Sequence, residues 1–126
     1  GIQLASGNNV RGLNLGNCSD FAIDDNGTVG TLTISEVNIN TTGGGFRAAN
    51  GGALAVTLGP LTTTGGTNGI HLASTSGSFT AGAVSITNPS STGIMMQSAS
   101  NTLTLGATTV SKSGAGTGVS LASSSG

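Results

Sequence analysis

The sequence predicts an all-β solenoid, a parallel β-helix of about five coils of ~24 residues with three strands per coil. Three observations carry this expectation. First, a phrase recurs: Gly1-Ile2-Gln3-Leu4-Ala5-Ser6 returns as Gly69-Ile70-His71-Leu72-Ala73-Ser74, Gly93-Ile94-Met95-Met96-Gln97-Ser98 and Gly118-Val119-Ser120-Leu121-Ala122-Ser123. Second, apolar residues alternate with small polar ones inside each repeat, the period-two mark of a strand with one buried face. Third, no helical period is present, and Gly and β-branched residues throughout disfavour helix.

Two disguised copies complete the series. Asp20-Phe21-Ala22-Ile23-Asp24-Asp25 fits the phrase with Asp for Gly, and Gly45-Phe46-Arg47-Ala48-Ala49-Asn50 fits with Phe for Ile. Coils then begin at 1, 20, 45, 69, 93 and 118 within one segment spanning 1–126. The first strand is expected to point Ile2/Leu4, Phe21/Ile23, Phe46/Ala48, Ile70/Leu72, Ile94/Met96 and Val119/Leu121 inward. The second points Leu32/Ile34, Leu54/Val56, Phe79/Ala81 and Leu103/Leu105 inward. The third supplies Val37/Ile39, Leu61, Val84/Ile86 and Val110. A gap of five residues recurs between the last core residues of the second and third strands: Val10 to Leu15, Ile34 to Ile39, Val56 to Leu61, Ala81 to Ile86 and Leu105 to Val110. Ser6, Asp25, Asn50, Ser74, Ser98 and Ser123 are assigned to the corner after the first strand, where short polar side chains bond local backbone. No single coil buries its own apolar edge, so each needs a neighbour above and below.

Composition excludes several functions. Only 6% of residues are charged and the net charge is −1, so no basic face exists to neutralise the phosphates of a nucleic acid or an anionic membrane. No apolar run approaches the ~20 residues of a membrane-spanning helix. Cys18 is the only cysteine, which rules out an internal disulfide and reads as a small apolar side chain near a turn. The regular placement of Ile, Val, Leu and Phe separates the chain from a disordered Gly/Ser/Thr linker.

The stretch Val10-Arg11-Gly12-Leu13-Asn14-Leu15-Gly16-Asn17-Cys18-Ser19, leading into Asp20-Phe21-Ala22-Ile23, carries a family resemblance. Its V-x-G-L-x-L-x-N-C-S pattern resembles the repeat of right-handed parallel β-helix proteins of the pectate-lyase-like superfamily. Later coils, such as Gly69 to Thr92, resemble Gly/Thr-rich β-helix segments of large bacterial surface and secreted, adhesin-like proteins. The resemblance implies a right-handed coil and an extracellular or cell-surface location. In carbohydrate-active members it places the active site on an outer face beside the first strand, built from clustered carboxylates with Arg or Lys.

That implication directs attention to Asp24, Arg47 and His71, which fall on successive coils of the first-strand face. They are the one grouping suited to acid/base work. A glycosidase needs two carboxylates flanking the bond, and sugar clefts usually carry aromatic platforms; this chain has neither Trp nor Tyr. Asp24-Asp25-Asn26-Gly27 offers oxygen ligands for Ca²⁺ but reads as an Asx/Gly turn. Arg11 and Glu36 are expected to pair at the second corner of adjacent coils. The outer positions of the second strand read Thr31/Thr33, Ala53/Ala55, Ser78/Thr80 and Thr102/Thr104. Such ranks of Thr resemble those that ice-binding solenoids use to order water, and Thr is also a favoured exposed strand residue.

The sequence therefore leads to a non-enzymatic structural or adhesive segment, without catalytic residues, metal or cofactor. An ice-binding solenoid and a partial polysaccharide lyase or hydrolase are the alternatives. Neither terminus reads as a cap, so the expected partners are flanking coils or copies stacked end to end, with surface glycans or other surface proteins on the sides.

Overall fold

The computed structural model describes residues 1–125, which form strands and turns with no helix. The chain is a parallel β-solenoid of about five turns. One sheet stacks the first strand of each coil: β1 (Ile2–Leu4), β3 (Phe21–Asp25), β5 (Gly44–Ala48), β7 (Ile70–Ala73), β10 (Ile94–Gln97) and β13 (Val119–Ala122), in that spatial order. The other sheet takes the rest: β2 (Asn9–Leu15), β4 (Thr31–Thr41), β6 (Gly52–Thr64), then β8 (Thr75–Ala81) with β9 (Val84–Thr87), and β11 (Ser100–Leu105) with β12 (Thr108–Ser111). Every pairing is parallel.

The expected second and third strands are separate only in the later coils. In β2, β4 and β6 they run as one strand, which in β2 and β4 bends midway. The bend has a backbone cause. Gly12 and Glu36 lie at equivalent positions of adjacent coils, and both adopt left-handed φ, 71° and 56°. Between β4 and β6 the ladder then slips at Ile34/Val37 and again at Val37/Ile39, as β-bulges do. The corner after the first strand is also left-handed at Ser74, Ser98 and Ser123, with φ of 55°, 48° and 49°, an uncommon conformation for a residue with a Cβ.

Alternation buries one column per inward position. Leu4, Ile23, Phe46, Ile70, Leu72, Ile94 and Met96 come from the first sheet; Leu32, Ile34, Val56, Phe79, Ile39, Leu61 and Ile86 come from the second, and all are buried. Phe46 and Phe79 meet across this core edge to face, with ring centroids 5.0 Å apart. The exposed large apolar residues, Leu13, Val119 and Leu121, lie on the first and last coils.

Two columns sit two residues away from the sequence expectation. In the second coil Ile23, not Phe21, lies between Ile2 and Phe46. Phe21 pairs with Gly44, and a Cβ at Gly44 would come within 2.6 Å of the Phe21 ring, so the glycine is what admits the aromatic. In the fourth coil Phe79 stacks on Val56 and Ala81 on Leu58, while Leu54 faces Gly77. Gly77 has φ of 87°, and a Cβ there would strike the Leu54 carbonyl. The five-residue gap consequently joins Phe79 to Val84 in that coil, since Val84 is the partner of Leu61.

Candidate functional site

The register aligns the charged group more tightly than the sequence suggested. Gln3, Asp24, Arg47, His71, Met95 and Ser120 form one column on the outer face of the first sheet. Asp24 and Arg47 meet as a bidentate pair, Arg47 Nε donating to Oδ1 at 2.5 Å and a terminal guanidinium nitrogen to Oδ2 at 2.8 Å. The guanidinium carbon also lies 5.0 Å from the centre of the Phe21 ring, a cation–π arrangement. The hydrogen bonds to Asp24 raise the Arg47 pKa further above its ordinary range. Arg47 is thus held on two sides, and both Asp24 oxygens are engaged.

His71 is half-buried beside this pair, with Nε2 shielded from solvent and without a hydrogen-bond partner. Burial, and after it the charge of Arg47, hold its pKa below the ordinary imidazole range; Asp25 pulls weakly the other way. The ring is neutral at neutral pH. The column therefore combines a closed ion pair with a neutral imidazole, and both oxygens of its carboxylate are bonded to Arg47.

Asp25 departs most from expectation. The sequence places it at the corner; the structure places it in the inward column with Leu4 and Ala48, its side chain fully shielded. Its Oδ2 accepts from Ala49 N at 2.8 Å, Asn50 N at 2.8 Å and Asn50 Nδ2 at 2.9 Å. Oδ1 makes no hydrogen bond and lies 3.7 Å from Arg47 Nε. A carboxylate inside a solenoid is tolerated only where donors converge on it, and here they come from the corner of the next coil. Among the described residues no group of three or more His, Cys, Asp or Glu side chains is placed to share a metal ion.

Elsewhere the polar side chains clamp coil to coil. Arg11 and Glu36 form the expected pair, Nε to Oε2 at 2.7 Å, on an exposed corner. Asn38 Nδ2 donates to Asn14 Oδ1 at 2.7 Å, and Lys112 Nζ donates to the carbonyls of Pro89 and Ser91 at 2.7 and 2.6 Å. Cys18 is half-buried and its thiol points to the Gly16 carbonyl at 3.2 Å.

The hydroxyl face also changes register. Thr31 stacks with Ala53, Ser76 and Ser100; Thr33 stacks with Ala55, Ser78 and Thr102. Thr80 and Thr104 belong to a further rank that begins at Thr57, a residue absent from the sequence expectation. All three ranks are solvent-facing, fully or in part, and carry only small side chains. The third-strand face adds two more: Asn40, Thr62, Ser85 and Thr109, and beside them Thr64, Thr87 and Ser111. The phrases Thr62-Thr63-Thr64, Ser85-Ile86-Thr87 and Thr109-Val110-Ser111 carry that signal in the sequence.

Comparison with known proteins returns no match to a family model, a curated protein or a solved structure.

Proposed function

We propose that this chain is a non-enzymatic structural or adhesive segment of a secreted or cell-surface bacterial β-helix protein, serving as a stiff spacer with side faces open to contact. The observation that carries this reading is the ladder itself. Parallel pairing continues from coil to coil through both sheets, and the conspicuous polar side chains are spent on clamping neighbouring coils. In such a quasi-one-dimensional array each coil is stabilised by its neighbours, which gives length and stiffness from a small repeat. The pectate-lyase-like and adhesin-like resemblance supports the surface location. The partners in this reading are stacked coils, from flanking sequence or from a second copy, and glycans or proteins along the sides. Electron microscopy of the chain, alone and with flanking coils, tests the reading. Rods whose length grows with coil number support it; compact particles of invariant shape, or cleavage of a polysaccharide that disappears in Asp24→Ala, overturn it.

The register favours a second reading, ordered-water or ice binding. The ranks ending at Ser100, Thr102 and Thr104 repeat at about 4.8 Å from coil to coil and about 6.6 Å along the strand, as parallel sheet geometry dictates. Uncharged hydroxyls and methyls at fixed spacing suit a crystalline array of water more than a flexible sugar. Thermal hysteresis that is present in the parent chain and abolished in Thr57→Tyr and Thr104→Tyr supports this reading. Its absence in the parent chain rejects it.

A further inference from the structure

We propose that Asn26 is a site of spontaneous modification, converting to aspartate or isoaspartate through a succinimide while two other Asn-Gly pairs of the chain are protected by the fold. The chemistry needs an asparagine carboxamide within reach of the next residue's nitrogen. It is fastest before glycine, which puts no side chain in the way. The chain has three such pairs: Asn26-Gly27, Asn50-Gly51 and Asn68-Gly69.

The structure separates them. Asn26 and Gly27 are both exposed, in a bend just beyond the end of β3. A Cβ added at Gly27 would meet no atom within 4 Å, so the space beside Gly27 is open. Neither the Asn26 carboxamide nor the Gly27 N–H has a hydrogen-bond partner among the described residues; the one bond of this bend is Asn26 N to the Leu4 carbonyl, 3.3 Å. At the second pair, Asn50 is also exposed, but its Nδ2 donates to Asp25 Oδ2 at 2.9 Å and its own N–H to the same oxygen at 2.8 Å. At the third, Asn68 is buried, its Nδ2 donates to the Thr92 carbonyl at 2.7 Å, and the would-be nucleophile, Gly69 N, donates to the Gly93 carbonyl at 2.8 Å.

The step balances with water alone. Gly27 N loses its proton and attacks Asn26 Cγ. The new N–Cγ bond closes the five-membered imide, the Cγ–Nδ2 bond breaks, and nitrogen leaves as ammonia with the proton released. Water then opens the imide at either carbonyl, giving the normal or the β-linked acid. Asn50 must first give up hydrogen bonds to a carboxylate, each worth about 1.5–3 kcal/mol. At tenfold per 1.36 kcal/mol, one such bond slows the reaction about 10–100-fold relative to Asn26. The product adds a carboxylate directly after Asp24 and Asp25. In its β-linked form it also lengthens the backbone at the corner where Asn26 N holds the Leu4 carbonyl.

Peptide mapping reads the outcome cleanly. Cleavage after Arg11, Arg47 and Lys112 puts Asn26 in the peptide 12–47 and both other pairs in the peptide 48–112. The native protein is incubated in mildly alkaline buffer, and each peptide is followed by mass spectrometry for exchange of –NH₂ by –OH, with fragmentation to place it. The expected result is conversion at position 26, on the order of 10-fold or more ahead of positions 50 and 68, and no conversion at position 26 in Asn26→Gln. In denaturant the three rates should converge, since the sequence context is shared. Equal native rates, or Asn50 or Asn68 reacting first, overturn the proposal.

Discussion

Asp25→Asn is the sharpest test of how the second and third coils are joined. The substitution keeps shape and volume, so no cavity term enters. The remaining amide oxygen can replace Oδ2 and still receive Ala49 N, Asn50 N and Asn50 Nδ2. What changes is the charge. Hydrogen bonds to an ionised acceptor contribute about 1.5–3 kcal/mol each and neutral ones about 0.5–1.5. Three bonds weakened by about 1 kcal/mol give a loss of about 3 kcal/mol. The relief of burying a charge offsets part of this. The new NH₂ also faces Arg47 Nε, which lies 3.7 Å from Oδ1, and two donors there repel. A net destabilisation of about 2 kcal/mol follows, roughly 5–10 °C in Tm for a chain of this size. Thermal melting of both proteins measures it, and amide exchange at Ala49 and Asn50 localises it, because each coil interface of a solenoid opens largely on its own. Unchanged melting together with unchanged protection of these two amides would falsify the view that a buried carboxylate holds this corner.

Three further outcomes are expected. The His71 pKa is lowered in the folded state, so between the unfolded value near 6.5 and the lower folded value the unfolded chain binds the proton preferentially, and stability falls as pH drops through that window. His71→Gln should flatten that part of the Tm-versus-pH curve, and an unaltered slope would show that other groups set it. Phe79→Ala removes a fully buried ring that packs on Phe46 and should cost about 3–5 kcal/mol in chemical denaturation. A loss under about 1 kcal/mol would mean that the coil collapses around the gap. Ser74 is exposed and sits at φ of 55°, a conformation costing an L-residue about 1–2 kcal/mol. Ser74→Gly should therefore raise Tm slightly, the gain being trimmed by glycine's greater freedom when unfolded; a fall in Tm would show that the serine side chain supports the corner.

The candidate site was legible in part. Periodicity puts Asp24, Arg47 and His71 on the outer face of the first strand, and the register stacks them there. Their direct stacking was not visible, because the column is set by where Phe21 finds room. The Thr31, Thr33, Thr80, Thr102 and Thr104 set was visible as hydroxyl-bearing and outward, but Thr57 was missed, since it appears only once Val56 is paired with Phe79. Asp25 was misplaced because a charged residue after a strand reads as a turn; nothing in the local sequence announces the three donors that converge on it from the next coil.

By itself the sequence determined the class of fold, the ~24-residue repeat and which apolar side chains of the strands face inward, because a one-residue error would turn every apolar side chain to the solvent. It did not determine how far each coil slides along its neighbour. A slip of two residues keeps every inward residue inward, so alternation is blind to it. Only the tertiary structure breaks that tie, through close approaches between coils: the Phe21 ring over Gly44, the Leu54 carbonyl against Gly77, and the buried Asp25 carboxylate under Ala49 and Asn50.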